Sequence, residues 1–331
     1  MSLFRNALIA TIAITLIISA IYYFETPTNK CQVAVLLPAV HPSMTHIEQG
    51  FSKTLQEKMP HVSIKIYNAN GDKVLMKGQV EKIVDSNYDL IFTVGTSASQ
   101  LTKTALSKKM KHTPLIFAAI ANPEKRGLID PNNTSTHITG ITESYDYNDQ
   151  INLLLKVKPD TKRVMIVYDP SSNPALEELK ETLTKTLKTH TITTTDLAIF
   201  NAKELQQKLP TFLPTVDVVL TLTDHTICAA MDTLVKLCSN AHVTLFTSEL
   251  DSNAKGAALS YGVNESEYGK EGALKAYAIL HEGKNASDIP PTSLKNFFLF
   301  VNADTAKAQN VTISPEFLHN TRIKITGKST S

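Results

Sequence analysis

The feature that most constrains the fold is a short phrase that the chain contains twice. Residues 88–96 are YDLIFTVGT and residues 216–224 are VDVVLTLTD. In each copy an aspartate precedes a run of apolar and β-branched residues typical of a buried strand, and small polar residues end it. Asp89 and Asp217 are 128 positions apart. The duplication predicts that the chain consists of two similar halves.

Other positions repeat with nearly the same offset. Phe117 and Phe246 are 129 positions apart, as are Gly127 and Gly256. The predicted strands alternate with helical patterns, which favours parallel sheets in two α/β domains, although all strand–helix units resemble one another to some degree. The strands are predicted at 32–40, 62–67, 89–95 and 114–119 in the first half and at 162–170, 191–199, 216–224 and 243–248 in the second.

Composition limits the kinds of partner. The chain has 331 residues, which suits two domains of ordinary size. Its 33 basic and 31 acidic residues leave a net charge of +2. Binding to nucleic acid depends on a surplus of clustered Lys and Arg, so we expect no nucleic-acid partner.

The first 30 residues form a separate segment. Arg5 precedes an uncharged apolar run over residues 7–24, and such a run is typical of a signal peptide or a single membrane anchor. Both interpretations remain open, because the possible cleavage site at residues 18–20 is followed by bulky side chains. Cys31 lacks the small apolar context of a lipoprotein cysteine, so we expect no lipid there. Export to the periplasm or another extracytoplasmic location is predicted.

The other two cysteines, Cys228 and Cys238, are ten positions apart on what the pattern predicts to be one helix. At about 1.5 Å of rise per residue they are too distant for a disulfide bond. The sequence shows no cluster of Cys and His that would bind a metal, so both cysteines are predicted to be helix packing residues.

Parallel sheets place their binding loops at the carboxyl ends of the strands. If those edges of the two domains face each other, they enclose a cleft in which a small molecule is bound. The residues that follow the strands are the candidate ligand contacts: His41, Pro42, Thr96, Ser97, Ala98, Asn122, Asp169, Ser171, Asn173, Asp224, His225, Ser248, Glu249 and Asp251.

Several of these candidates have a purely structural alternative. Backbone N–H groups at Thr96 and Ser97 favour an anionic ligand group, but either side chain is also a suitable helix N-cap. Asp224 would either bind an ammonium group of the ligand or act as a helix N-cap. Asp251 would either contact the ligand or cap a short segment. Tyr145 and Tyr261 lie beside predicted crossings between the domains, where each ring would stack on a ligand or pack the hinge.

The ordered set of motifs resembles the substrate-binding proteins of ABC transporters, in particular the group for tryptophan and tyrosine uptake. The matching stretches are HPSMTHIEQGF at 41–51, YDLIFTVGTSASQ at 88–100, IFAAIANPEKRGLI at 116–129, RVMIVYDPSSNPALEELK at 163–180, residues 224–272, ILHEGKNASDIP at 279–290 and VNADTAKAQNVTISPEFL at 301–318. This resemblance covers roughly residues 32–320. The chain departs from the family at Ser172, where an acidic residue is usual, and at Glu249, where Asp is common.

The resemblance implies a type I periplasmic binding protein, an α/β fold with two Rossmann-like lobes of parallel sheet joined by a three-crossing hinge. Crossings are expected near 142–143, 262–263 and 296–297, and a helix at about 268–281 is expected to return to the first lobe. The predicted domains are residues 1–30 as signal or anchor, 31–143 with 263–297 as the N-terminal lobe, and 144–262 with 298–325 as the C-terminal lobe.

The function implied is that of a monomeric solute-binding protein that delivers a small molecule, of the aromatic amino-acid class, to an ABC permease in the membrane. No cofactor, metal or catalytic residue is expected, and the chain is predicted not to be an enzyme. The sequence contains neither a nucleophile elbow nor a phosphate-binding or dinucleotide-binding motif. The alternatives are an extracytoplasmic ligand sensor that acts through a partner protein and an enzyme that uses the cleft.

Overall fold

A computed structural model describes residues 31–130, 137–172 and 175–327. The N-terminal segment that the sequence assigns to a signal or anchor lies outside these residues. Within them, no helix combines the length and the apolar character needed to cross a membrane.

The first sheet has six strands in the order β11-β5-β4-β3-β1-β2, and its described pairings are all parallel. Both faces of this sheet are covered. Val33 and Val35 contribute to one core cluster, whereas Ala34 and Leu36 contribute to another. Successive side chains of a strand point to opposite faces, so burial on both sides explains why β1 is apolar without alternation. The strands are β1 (Gln32–Leu37), β2 (Ser63–Asn68), β3 (Leu90–Val94), β4 (Leu115–Ala121), β5 (Ile138–Glu143) and β11 (Thr292–Ser293).

The second sheet has seven strands in the order β13-β12-β10-β9-β8-β6-β7. Its described pairings are parallel except that β10 and β12 run antiparallel. The sheet repeats the plan of the first, which confirms the prediction of two α/β lobes. Its strands are β6 (Arg163–Tyr168), β7 (Thr193–Ala198), β8 (Val218–Thr221), β9 (Thr244–Thr247), β10 (Leu259–Gly262), β12 (Phe298–Asn302) and β13 (Ile323–Thr326).

Several of the helices begin at polar side-chain caps. Asp72 accepts hydrogen bonds from the backbone N–H groups of Val74 and Leu75 at 2.7 and 3.0 Å, and Asn264 accepts one from Ser266 at 3.1 Å. The described helices are α1 (Pro42–Lys58), α2 (Lys73–Asp85), α3 (Thr96–Lys108), α4 (Tyr147–Val157), α5 (Leu176–Thr189), α6 (Ala202–Phe212), α7 (His225–Ala229), α8 (Met231–Ala241), α9 (Asp251–Ala254), α10 (Glu265–Leu280) and α11 (Ala303–Ala306).

One helix prediction is wrong. Cys228 and Cys238 do not lie on a single helix, because α7 ends before Ala230 and α8 begins after it. At Ala230 the backbone leaves helical geometry, with φ −94° and ψ 6°. Both cysteines are free thiols, and Cys238 is fully buried in the core of the second lobe.

The chain passes from one sheet to the other three times. It leaves the first sheet after β5 and enters α4, which packs against α5 of the second lobe. It returns after β10 through α10, which packs against α1 of the first lobe. It passes over a third time between β11 and β12. The lobe boundaries at residues 143, 262 and 297 stay predictions, and the sheet memberships are compatible with them.

Glycines let α10 lie directly against α1. A Cβ atom added at Gly269 would overlap the carbonyl oxygen of Ile47, and one added at Gly272 would overlap the ring of Phe92. Beneath this contact the rings of Phe51 and Phe92 stack with centroids 4.0 Å apart. The return of the chain to the first lobe therefore depends on small residues at this helix–helix contact.

We expect Gly269→Ala to lower the free energy of unfolding by about 1–3 kcal/mol, because the two helix backbones must separate to admit the methyl group. Gly78→Ala in α2 is the matched control, since Gly78 is exposed and has open space where its Cβ would lie. There alanine is expected to stabilise the helix by about 0.5–1 kcal/mol. Urea unfolding of both variants measures the difference, and equal midpoints would contradict the packing argument.

Candidate ligand-binding site

The carboxyl edges of the two sheets face each other. Ser43, in the first turn of α1, donates a hydrogen bond to Asp251 Oδ2 at 3.2 Å, and His46 Nδ1 lies 3.7 Å from the same oxygen. Ser43 follows β1 of the first sheet and Asp251 follows β9 of the second. A second contact joins Lys125 Nζ to Glu178 Oε1 at 2.6 Å. The loops that follow the strands thus meet across a cleft between the lobes.

In the first lobe, His41 caps α1, and its Nδ1 accepts a hydrogen bond from the backbone N–H of Ser43 at 3.3 Å. Pro42 is exposed in the first helical position. Asn122 is also exposed, directly after β4, and has a left-handed φ of 50°, which asparagine tolerates better than most residues. All three residues lie at the carboxyl edge of the first sheet.

The N-terminus of α3 differs from the predicted cap. Gly95, with φ 79°, is the N-cap residue, and no side chain caps the helix. The capping alternative for Thr96 and Ser97 is therefore wrong. Thr96 is half-buried, Ser97 is exposed and Ala98 is buried. The first backbone N–H groups of this helix remain available for an anionic group at the cleft.

In the second lobe, Asp224 and Asp169 hold the loops together. Asp224 Oδ1 accepts a hydrogen bond from the N–H of Ile227 at 2.7 Å, so its predicted alternative role as an N-cap is confirmed. Its Oδ2 accepts from the N–H of Asp169 at 3.0 Å. Burial raises the pKa of Asp224. Both Asp224 oxygens have backbone donors, so its pairing with an ammonium group stays an untested prediction.

Both carboxylate oxygens of Asp169 also accept hydrogen bonds from neighbouring residues. Its Oδ1 accepts from the N–H and hydroxyl of Ser171 at 2.8 and 2.6 Å, and its Oδ2 accepts from the hydroxyl of Thr226 at 2.6 Å. Burial acts to raise the pKa of Asp169, but these hydrogen bonds outweigh it and the pKa is lowered. The predicted contact Asn173 lies outside the described residues, and His225 begins α7.

Glu249, and not Asp251, accepts a hydrogen bond from a backbone N–H group at the start of α9. Both Glu249 carboxylate oxygens lie 3.1 Å from the backbone N–H of Ser252, and the side chain is buried. The capping alternative for Asp251 is wrong, since α9 has no side-chain cap and Asp251 contacts Ser43 instead. Ser248 accepts a hydrogen bond from Gln150 of α4 at 3.1 Å.

The structure adds a group of five residues, of which only Tyr145 was considered as a ligand contact from the sequence. Glu143 ends β5, Glu265 begins α10, and the phenol of Tyr145 hydrogen-bonds Glu143. The charge of Glu143 also acts on Tyr147 and Tyr268, both buried. We call these five residues, Glu143, Tyr145, Tyr147, Glu265 and Tyr268, the hinge cluster. The sequence contained one signal for the hinge cluster: an acidic residue lies next to each of two predicted crossings.

The two glutamates of the hinge cluster are electrostatically unusual. Glu143 keeps some accessible surface, yet protein atoms crowd it so closely that burial raises its pKa to about 6, against the opposing hydrogen bond from Tyr145. Burial raises the pKa of Glu265, and the charges of Glu143, Asp251 and Glu249 raise it further. Carboxyl groups from both lobes thus act on Glu265 in this part of the cleft.

A further set of contacts ties the crossings together behind the cleft. Asp149 of α4 accepts hydrogen bonds from Tyr261 Oη at 2.7 Å and from Arg322 Nη1 at 2.8 Å. Arg322 also donates to the carbonyl oxygen of Phe297 at 3.1 Å, and the rings of Tyr261 and Phe297 stack 5.2 Å apart. The hinge-packing alternative for Tyr261 is therefore confirmed. We call Asp149, Tyr261, Phe297 and Arg322 the hinge clamp.

Two sheets of this topology with facing carboxyl edges and three crossings define a type I periplasmic binding protein. A family model for the ABC transporter substrate binding protein matches residues 32–323. The chain therefore belongs to the family of ABC transporter substrate-binding proteins, as the sequence resemblance predicted. Members of this family bind small molecules outside the cytoplasmic membrane and work with ABC permeases.

Individual relatives agree with this assignment. The tyrosine-binding protein of Clostridioides difficile is 24% identical over 273 residues, which cover 81% of this chain and 77% of the relative. An ABC domain from Streptococcus pneumonia, solved in complex with L-Trp, superposes with a TM-score of 0.77 at 21% identity and covers 90% of this chain and all of the other. A ligand-free, open substrate-binding protein with adhesive properties from Clostridium difficile gives a TM-score of 0.74 at 21% identity, covering 89% and 98%.

Among the described residues, no group of three or more His, Cys, Asp or Glu side chains could hold a metal ion. The site is thus built from carboxyl groups, phenols and backbone N–H groups.

The hinge clamp predicts the effect of Tyr261→Phe. Burial acts to raise the pKa of Asp149, but the hydrogen bonds from Arg322 and Tyr261 outweigh it and lower the pKa. We expect the variant to lose about 1.5 kcal/mol of unfolding free energy near neutral pH. Because the pKa of Asp149 is lowered in the folded state, this contribution is present above the ordinary aspartate pKa and disappears as the pH falls through the lowered one.

Chemical unfolding at neutral and acidic pH measures this loss. Tyr277→Phe in α10 is the control, since Tyr277 is partly exposed and stacks on His281 away from the clamp. A Tyr261→Phe defect that stayed constant on acidification would contradict the assigned role of Asp149.

Proposed function

We propose that this protein is exported and binds an amino-acid-like solute with an ammonium group, with aromatic amino acids as the first candidates. It binds as a monomer, closes its lobes over the solute and presents the closed form to an ABC permease. The solute is released without a chemical reaction. The observation that carries the proposal is the meeting of the two carboxyl edges across a cleft that contains carboxyl groups, phenols and an uncapped helix N-terminus.

The chemistry of the cleft suits both ends of an amino acid. The uncapped start of α3 favours a carboxylate, because its N–H groups and the helix dipole attract negative charge. The glutamates of the hinge cluster favour an ammonium group. The tyrosine rings of the cluster offer apolar faces to an aromatic side chain. Two relatives have ligands of this class, since one is a tyrosine-binding protein and another was solved in complex with L-Trp.

A panel of the twenty amino acids, with nucleosides and sugars, tests the proposal. We expect L-tyrosine or L-tryptophan to raise the melting temperature and to give a saturable isotherm, since a ligand at 100 times its Kd adds about 2.7 kcal/mol to stability. N-acetyl-L-tyrosine, in which the ammonium group is blocked, is the matched control and should fail to bind. Mass spectrometry of the released solute should show an unchanged mass. Absence of binding across the whole panel would refute the proposal.

The contacts between the lobes predict how closure affects affinity. Ser43→Ala removes the hydrogen bond to Asp251, which is partly shielded from solvent. The closed form then loses about 1 kcal/mol, so we expect solute affinity to fall roughly fivefold, mainly through faster dissociation. Lys125→Met is the comparison, because Lys125 and Glu178 are more than half exposed and such a pair contributes little.

Stopped-flow dissociation rates and small-angle scattering with and without solute measure both variants. The closure model would be contradicted if Ser43→Ala and Lys125→Met gave the same rates as the unmodified protein while the solute still bound.

A further inference from the structure

The hinge cluster concentrates negative charge without a cation to balance it. In the described part of the chain, neither Glu143 nor Glu265 takes part in an ion pair. The nearest lysine on α10, Lys270, pairs with Glu267 instead, at 2.5 Å. Glu249 and Asp251 add two more carboxyl groups whose charges act on Glu265. An uncompensated carboxylate is costly to bury, so each such group is stabilised either by taking up a proton or by pairing with a cation.

Helix capping does not explain why a glutamate is present at position 265. Acidic residues in the first turn of a helix interact favourably with its dipole, and both Glu265 and Glu267 occupy the first turn of α10. Glu267 already supplies that interaction near the surface. Asn264 satisfies the N-terminal N–H of Ser266. A second glutamate turned into the cleft, toward three other carboxyl groups, adds repulsion that the dipole does not explain.

Tyr147 gives an independent indication of a ligand. Its side chain is 5% exposed, and its hydroxyl has no hydrogen-bond partner among the described residues. Buried hydroxyls nearly always have a partner. The hydroxyl lies close enough to Glu143 for the charge of that carboxyl group to raise the pKa of the phenol, in addition to the effect of burial. The phenol oxygen is therefore placed to accept a hydrogen bond from a donor that also contacts Glu143.

The aromatic rings fit the same kind of donor. Tyr145 and Tyr147 stack with centroids 5.7 Å apart and planes 14° from parallel, and Tyr268 is buried beside them. Tyrosine faces attract organic cations, and of the three rings Tyr145 keeps part of its surface accessible. An ammonium or guanidinium group is bound by features of this kind: carboxylates, a phenol oxygen that accepts no other hydrogen bond, and the faces of tyrosine rings.

We propose that the hinge cluster binds a cationic group of the solute and that the transported solute carries a net positive charge. This inference rests on the proposed function and narrows its substrate class. A zwitterionic amino acid brings one ammonium and one carboxylate, so it offsets less of the repulsion that Glu143, Glu249 and Asp251 exert on Glu265 than a net cation does. A net cation offsets it. Two sources of such a group fit the chemistry: an amine that lacks a free carboxylate, and an amino acid with a basic side chain.

Isothermal titration separates these sources. The probes are L-tyrosine, which is neutral overall, L-tyrosinamide and tyramine, which are amines without a carboxylate, and L-lysine and L-arginine, which have basic side chains. We expect at least one cationic probe to bind about tenfold more tightly than L-tyrosine, the factor that about 1.4 kcal/mol of added charge interaction gives. Tighter binding of the amines identifies the first source, and tighter binding of lysine or arginine identifies the second.

Glu265→Gln tests the residue assignment, and Glu267→Gln in the same helical turn is its control. Glu265→Gln should weaken the best cationic probe about tenfold and should weaken L-tyrosine, whose carboxylate already offsets part of the attraction to the cluster, by a smaller factor. It should also raise the melting temperature of the ligand-free protein, because it removes like-charge repulsion at a buried site. Glu267→Gln should leave the affinities of all probes unchanged.

The outcomes distinguish this inference from the function on which it rests. If L-tyrosine binds at least as tightly as every cationic probe, the charge preference is refuted while the proposed function stands. Equal losses for neutral and cationic probes in Glu265→Gln would show a structural role and overturn the inference. Failure of every probe to bind would overturn this inference, whereas the proposed function would fall only if the whole panel of amino acids, nucleosides and sugars also failed to bind.

Discussion

Asp149 is the residue on which the arrangement of the two lobes depends. Its carboxylate accepts hydrogen bonds from Tyr261, next to the second crossing, and from Arg322, which also holds the carbonyl group of Phe297 at the third. Asp149 itself follows the first crossing in α4. The three crossings are thus tied to one side chain on the second lobe. The closure that we propose would then take place in the short segments beyond the clamp, because hinge motion concentrates in a few residues at element ends.

Much of this fold followed from the sequence because burial on both faces gives parallel strands an unmistakable apolar pattern. The duplicated phrase at residues 88–96 and 216–224 corresponds to β3 and β8, which occupy the same place in the two sheets. Local pattern did not reveal the break at Ala230, since no proline or glycine marks it. It also gave no sign that β12 runs antiparallel to β10, because strand direction is fixed by how the chain returns from α10 and not by the strand's own residues.

The candidate site was only partly visible in the sequence, for a different physical reason. Short polar residues after a strand are used first to satisfy the loop itself: Asp169 and Asp224 hold Ser171, Thr226 and Ile227, and their oxygens are occupied. Such residues satisfy backbone groups that would otherwise lack partners. The two glutamates at the crossings, Glu143 and Glu265, instead have no ion-pair partner among the described residues. These two glutamates are 122 positions apart, and only the tertiary fold brings them together.

The placement of these glutamates links charge to closure. Glu143 ends a strand of the first lobe and Glu249 follows β9 of the second, so bringing the lobes together brings carboxyl groups together. Under the two proposals, closure without a solute costs electrostatic energy, whereas closure around a cation gains it. A ligand shifts a conformational equilibrium only by its difference in affinity for the two states. The repulsion that acts on Glu265 would enlarge that difference and disfavour a closed, empty form of the protein.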